Sequence, residues 1–124
     1  MSHAACVIAM DINAKAIITV TKSGFTARNV SKYRPSLPVL GCTNTEQSCR
    51  HLALSWGVTP LLMSTVSNTD ELIDISIATA KKEHLLEEND LVVVTAGVPV
   101  GVSGSTNILK AHKVGTSSLG TLKL

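Results

Sequence analysis

Apolar positions along the chain fall into short blocks whose period changes from one block to the next, and these periods predict the elements. Residues 2 to 13 are apolar almost all round (Ala4, Ala5, Cys6, Val7, Ile8, Ala9, Met10, Ile12), which suits a helix packed between other elements. A chain opening straight into such a helix is expected to be cut from something larger. Ala16 to Val20 reads as a short buried strand. The turn Thr-Lys-Ser-Gly-Phe-Thr follows, then a helix to about Tyr33, which Pro35 stops because the residue before a proline avoids the α region. Leu37 to Gly41 forms a second strand. Thr43, three residues before Glu46, gives a capping box. Cys49, Leu52, Ala53 and Trp56 then repeat at helical spacing as one face, and Gly57 closes that helix as a left-handed cap.

Val58 to Ser64 is a third strand, placed at a sheet edge by Pro60, which cannot donate to a ladder. Asn68 or Thr69 caps the next helix, whose inward stripe is Leu72, Ile73, Ile77 and Ala80, with Lys81 and Lys82 complementing the dipole at its end. Leu91 to Ala96 (LVVVTA) has no alternation, the mark of a central strand covered on both faces. Asn107 to Val114 alternates Ile108, Lys110, His112 against Leu109, Ala111, Lys113, and its lysines suit an edge. Strands alternating with helices require crossover connections, so the sheet is mostly parallel with helices on both faces. The last strand has no helix before it. The loop ahead of it returns it antiparallel, giving a mixed five-stranded sheet. Residues 1–115 form one domain, and 116–124, rich in Ser, Thr and Gly, read as a flexible tail.

The length, 124 residues, fits a single core, since domains cluster near roughly 100–150 residues. With one Phe, one Tyr and one Trp, the core must be aliphatic, and readers of single strands or RNA, which stack bases on several rings, are disfavoured. The formal charge of +2 is spread along the chain rather than gathered into a nucleic-acid footprint, so any anion recognised is expected to be small. No apolar run approaches the roughly 20 residues of a membrane helix. Cys6, Cys42 and Cys49 form no CxxC pair and read as reduced core thiols, which points to the cytoplasm. His3, His51, His84 and His112 fall in four different elements without metal-ligand spacing.

Ligands of an open α/β sheet collect where loops leave the C-terminal ends of the strands. Two loops qualify. In the first, Thr21, Lys22, Ser23, Gly24, Phe25 and Thr26 put hydroxyls, a lysine and a permissive glycine at a helix N-terminus, whose free N–H groups and dipole favour an anion by about 0.3–2 kcal/mol. The residues alone leave a second account open, a cap on Ser23 beside a solvated lysine. The second loop, residues 97–106, holds Ser103, Gly104, Ser105 and Thr106 and fits neither a Walker loop, a GxGxxG turn nor a GxSxG elbow. By itself it is a turn. Beside the first loop it makes the other wall of an anion pocket.

The stretches SHAACVIA, NAKAIITVTKSGFTARNVSKYRPSLPVLGCT, LALSWGVTPLL, TDELID and DLVVVTAGVPVGVSGSTNILKAHKV together resemble the C-terminal domain of pyruvate kinase, bacterial type, over about residues 2–115. The resemblance implies a three-layer α/β/α domain whose last strand is antiparallel. It implies an allosteric role, with a phosphorylated sugar or nucleotide effector held at Thr21 to Thr26, which match the family's phosphate loop position for position, and Ser103 to Thr106 closing the pocket. Phe25 stands where members strongly responsive to fructose 1,6-bisphosphate often carry a basic residue, so the effector class is implied without a particular compound. The family's catalytic site, with Mg²⁺ and often K⁺, lies in a separate (β/α)8 barrel, so no catalytic residue, metal or cofactor is expected in this chain. Expected partners are that barrel and a second copy of the chain through the last strand, not nucleic acid or membrane. The alternative function is a stand-alone protein that binds a small phosphate ligand, and a barrel encoded upstream of Met1 would separate the two.

Overall fold

β-Branched and aliphatic runs too short for helices form the strands, and the longer mixed segments between them form the helices. A computed structural model of the chain describes residues 2–20, 25–63, 69–96 and 108–114. In chain order the elements are α1 (Ser2–Asp11), β1 (Ala16–Val20), α2 (Phe25–Lys32), β2 (Val39–Thr43), α3 (Glu46–Leu52), β3 (Val58–Leu62), α4 (Thr69–Lys82), β4 (Leu91–Ala96) and β5 (Ile108–Lys113). The strands build one five-stranded sheet in the order β3-β2-β1-β4-β5. β1 pairs in parallel with β2 and β4, β2 pairs in parallel with β3, and β5 runs antiparallel to β4. The expected mixed sheet is therefore present. β4 is interior and buried from Val92 to Ala96, although β1 rather than β4 is the middle strand.

Strand alternation divides the core into two layers. On one face Ile17, Val39 and Val93 pack with Ala5, Cys6 and Ala9 of α1 and Val30 of α2. On the other, Ile18, Leu40, Leu61, Val92 and Val94 pack with Ile73, Ile77 and Ala80 of α4. α3 joins the first face through Leu52, which is fully buried. Its side chain comes so near β2 that a Cβ added to Gly41 would stand 2.7 Å from Leu52 Cδ1. Helices thus cover both faces, as right-handed crossovers require once the strand order reverses direction. Among the described residues no helix is long and apolar enough to cross a membrane.

Four local expectations are corrected. Thr45, not Thr43, caps α3: it is extended (φ −129°, ψ 142°) and its side chain accepts from the Ser48 N–H. Thr43 instead ends β2, and its hydroxyl donates to the Thr45 carbonyl at 3.2 Å. α3 stops at Leu52, because the N–H groups of Leu54 and Ser55 turn back to His51 and Leu52, three residues earlier, and tighten the chain out of the α-helix. Trp56 is thereby carried off the helical face and is 48% exposed. The Trp56 carbonyl accepts from Ser31 Oγ at 2.6 Å, and the Arg34 guanidinium lies 5.3 Å from its ring. Gly57 does take a left-handed conformation (φ 69°), but in the turn before β3 rather than at the helix end. The second strand begins at Val39 rather than Leu37 and runs to Thr43.

Candidate functional site at the carboxyl edge of the sheet

The sheet reverses direction between β1 and β4. From β1 the chain winds outward through β2 to β3, and it then crosses to β4 and leaves toward β5. Such a switch point separates the loops that leave the two strands and opens a crevice at their carboxyl ends. Here the ends are level, with Val20 paired to Ala96 and Thr19 to Thr95. The segment after Val20 enters α2, whose first two residues are Phe25 and Thr26. The segment after Ala96 enters β5. The two loops singled out by sequence therefore depart from adjacent strand ends on the same edge. Thr21, Lys22, Ser23 and Gly24, and likewise Ser103, Gly104, Ser105 and Thr106, lie outside the described residues.

α2 has no acidic residue in its first turn, and Lys32 sits in its last. Its N-terminal N–H groups and positive dipole end are therefore not opposed by a carboxylate of their own helix.

Near these strand ends lies a feature that the reading of periods passed over. Thr95, Thr19 and Gly41 occupy one row across three neighbouring strands, and both threonines are fully buried. Thr19 Oγ1 donates to the Leu40 carbonyl at 3.3 Å. Thr95 Oγ1 is buried with no hydrogen-bond partner among the described residues, which is a costly arrangement for a hydroxyl unless something pairs it. The available signal was a single threonine near the end of each of two otherwise aliphatic strands, AIITV and LVVVTA.

Burial governs the chemistry of two of the three cysteines. Cys42 is fully buried one row from Thr19, and burial, reinforced by nearby Cys49, pushes its thiol from 9.0 up to about 12. Burial also pushes the Cys6 thiol up. Cys49 is half-buried, with Sγ 3.2 Å from Thr43 Oγ1. Among the described residues no three His, Cys, Asp or Glu side chains gather as a metal site would require.

These features define a doubly wound α/β domain whose switch point falls between its middle strand and the neighbour that carries an antiparallel edge. The profile of the family described as "Pyruvate kinase, alpha/beta domain" matches residues 1–112, and the chain belongs to that family. It is 49% identical over 114 residues to a pyruvate kinase of Clostridium acetobutylicum, covering 92% of this chain and 24% of that protein. A pyruvate kinase of Sporosarcina psychrophila is 39% identical over 115 residues, covering 93% of this chain and 20% of that protein. Among solved structures, Cryptosporidium parvum pyruvate kinase in complex with ADP superimposes with a TM-score of 0.79 at 36% identity, over 90% of this chain and 22% of that one. The chain thus spans about a fifth to a quarter of the length of these relatives.

Proposed function

We propose that this domain is the allosteric, effector-binding part of a cytoplasmic pyruvate kinase, taking a phosphorylated sugar or nucleotide at the β1–β4 switch point. The observation that carries the reading is the level pairing of Val20 with Ala96. It sets the exits of the TKSGFT and VPVGVSGSTN segments side by side, the first leading directly into α2. In this reading Thr21, Ser23, Gly24 and Thr26 surround one phosphate with hydroxyls and backbone N–H groups, and Phe25 continues the backbone into the helix. Lys22 adds a full positive charge, and Ser103, Gly104, Ser105 and Thr106 close the far side. A phosphate ester suits such a site because its oxygens accept many hydrogen bonds at once and its charge is met by the helix dipole.

Regulation follows from differential binding. An effector that holds the two loops together favours whichever arrangement of the assembled enzyme presents them closed, typically by about 1–3 kcal/mol of coupling. The reaction so regulated, phosphoryl transfer from phosphoenolpyruvate to ADP in glycolysis, belongs in this reading to a barrel domain that supplies the catalytic groups, Mg²⁺ and K⁺. Assembly through β5 would bring copies together. The N–H of Val114 donates to Asp90, and with the β4–β5 register this turns the N–H of Ala111 away from β4 toward a neighbouring edge.

Isothermal calorimetry of the chain against fructose 1,6-bisphosphate, other sugar phosphates and nucleoside monophosphates tests the site. Charge-assisted hydrogen bonds contribute about 1.5–3 kcal/mol each, so Lys22→Ala or Ser23→Asp is expected to weaken binding at least about tenfold. Unchanged affinity in both variants would move the site elsewhere.

A further inference from the structure

At the far edge of the sheet, the pairing of β3 determines which of its backbone groups turn outward. The Val39 N–H donates to the Gly57 carbonyl at 3.0 Å, and the Met63 N–H donates to the Thr43 carbonyl at 2.8 Å. In a parallel ladder these two bonds direct the carbonyls of Thr59 and Leu61 toward β2 and those of Val58, Pro60 and Leu62 away from it. The outward donors are fewer. The Val58 N–H turns back to the Ser55 carbonyl, Pro60 has no N–H, and Leu62 is left to supply one. The edge is therefore a row of acceptors, interrupted at its centre by a proline.

A groove of about 350 Å³ lies along this edge, lined by Thr59, Pro60, Leu61 and Leu62 of β3, by Thr79 and Glu83 at the end of α4, and by Leu85. Each polar group from α4 has the same sense as the edge. Thr79 Oγ1 spends its proton on the Ile75 carbonyl at 2.8 Å, leaving lone pairs that accept. The Glu83 carboxylate stands just past the C-terminus of α4 at Lys82, where the helix dipole is negative and favours a cation. Nearby Lys81 pairs with Glu88 rather than with Glu83. Apart from Thr59, the remaining wall is apolar, with Leu62 49% exposed and Leu85 half-buried.

We propose that this groove binds a small cation carrying N–H donors on a short apolar stem, a primary alkylammonium or alkylguanidinium. The head is held by Glu83, the edge carbonyls and the end of α4, and the stem lies against Leu62 and Leu85. This site is two strands away from the β1–β4 switch point and takes a ligand of opposite charge. It stands independently of the phosphate reading.

Amide chemical-shift titration of the 15N-labelled chain tests it, with n-butylammonium and n-butylguanidinium chlorides as probes. Tetramethylammonium, a cation without N–H donors, and sodium butyrate, the matching stem with an anionic head, serve as controls. The expected result is saturable shifts centred on Leu62, Glu83 and Leu85 for the two probes and none for the controls. Glu83→Gln, an exposed change that leaves the core intact, weakens the probes about 1.5- to fivefold, the range for a solvent-exposed ion pair. Pro60→Ala, which returns an N–H to the acceptor row, also weakens them. Equal shifts from tetramethylammonium, no saturation by about 100 mM probe, or Glu83→Gln with unchanged affinity would each overturn the proposal.

Discussion

Replacing Gly41 by alanine tests how α3 is seated on the sheet. An added Cβ would lie 2.7 Å from Leu52 Cδ1, 3.2 Å from Val58 Cγ1 and 3.4 Å from Ala27 Cβ. Carbon atoms in contact prefer about 3.5–4.0 Å, so Leu52 would have to withdraw by roughly an ångström. It is fully buried and has no solvent to withdraw into. Overpacking of this kind costs about 1–3 kcal/mol, and replacing glycine within a strand returns about 0.5–1 kcal/mol. The net expectation is destabilisation by about 1–2 kcal/mol, read as a lower urea midpoint with an unchanged slope. A double-mutant cycle locates the cause. Leu52→Ala alone costs about 2–5 kcal/mol, but with Cδ1 gone the alanine at 41 fits, so the pair should be more stable than the sum of the two single changes predicts. A neutral or stabilising Gly41→Ala, or a cycle additive within about 0.5 kcal/mol, would refute the argument that Leu52 sets the spacing.

Because the folded Cys42 thiol ionises near pH 12 rather than 9.0, its contribution to stability should be complete below pH 9. It is lost as pH rises from 9 toward 12, at about 1.4 kcal/mol per pH unit. Cys42→Ala should flatten the alkaline limb of a stability-versus-pH curve, and an identical limb would contradict the burial assignment. Ser31→Ala removes the 2.6 Å hydrogen bond to the Trp56 carbonyl and should cost about 0.5–1.5 kcal/mol in denaturant unfolding, with a change in the emission of the chain's single tryptophan. An unshifted midpoint would mean that the bond is replaced by water. If copies associate through β5, sedimentation at high protein concentration should show a weak dimer that Ala111→Pro abolishes, and a dimer persisting in that variant would place the contact on another surface.

Much of the fold was legible because burial imposes periods that survive in a single sequence. LVVVTA could be placed inside the sheet, Pro60 placed β3 at an edge, and the missing helix before β5 gave its antiparallel sense. The errors share a physical cause. Thr43 and Thr45 both precede Glu46 as plausible caps, and the choice depends on where β2 ends. That end is set by pairing with β3, where Thr43 is opposite Leu62, a contact distant in sequence. The spacing of Cys49, Leu52, Ala53 and Trp56 looked like one face, but of these Leu52 is buried while Ala53 and Trp56 are exposed, because the chain leaves the helix after two turns. β1 and β4 are equally apolar, and only the strand order distinguishes the middle strand from its neighbour. At the candidate site the loops announced themselves through glycine and hydroxyl residues, whereas the row formed by Thr19, Thr95 and Gly41 did not. Its members come from three segments that only register brings together.

The reversal of strand order also bears on how the chain folds. β1, β2 and β3 can be laid down in succession, each crossover adding the next strand, and β4 with β5 forms an antiparallel unit closed by one loop. These two halves meet along a single parallel ladder that joins Ala16 to Val92 and Val20 to Ala96. Closing it brings together residues from nearly opposite ends of the domain, so it carries a large loop-closure entropy and belongs among the slow steps of assembly. The ladder ends at Val20 and Ala96, the residues from which the TKSGFT and GVPVGVSGSTN segments depart. A ligand bridging those segments would act as a clasp across the seam, so hydrogen exchange of the amides that bond across the β1–β4 ladder should slow on binding while exchange of those that bond between β4 and β5 changes least.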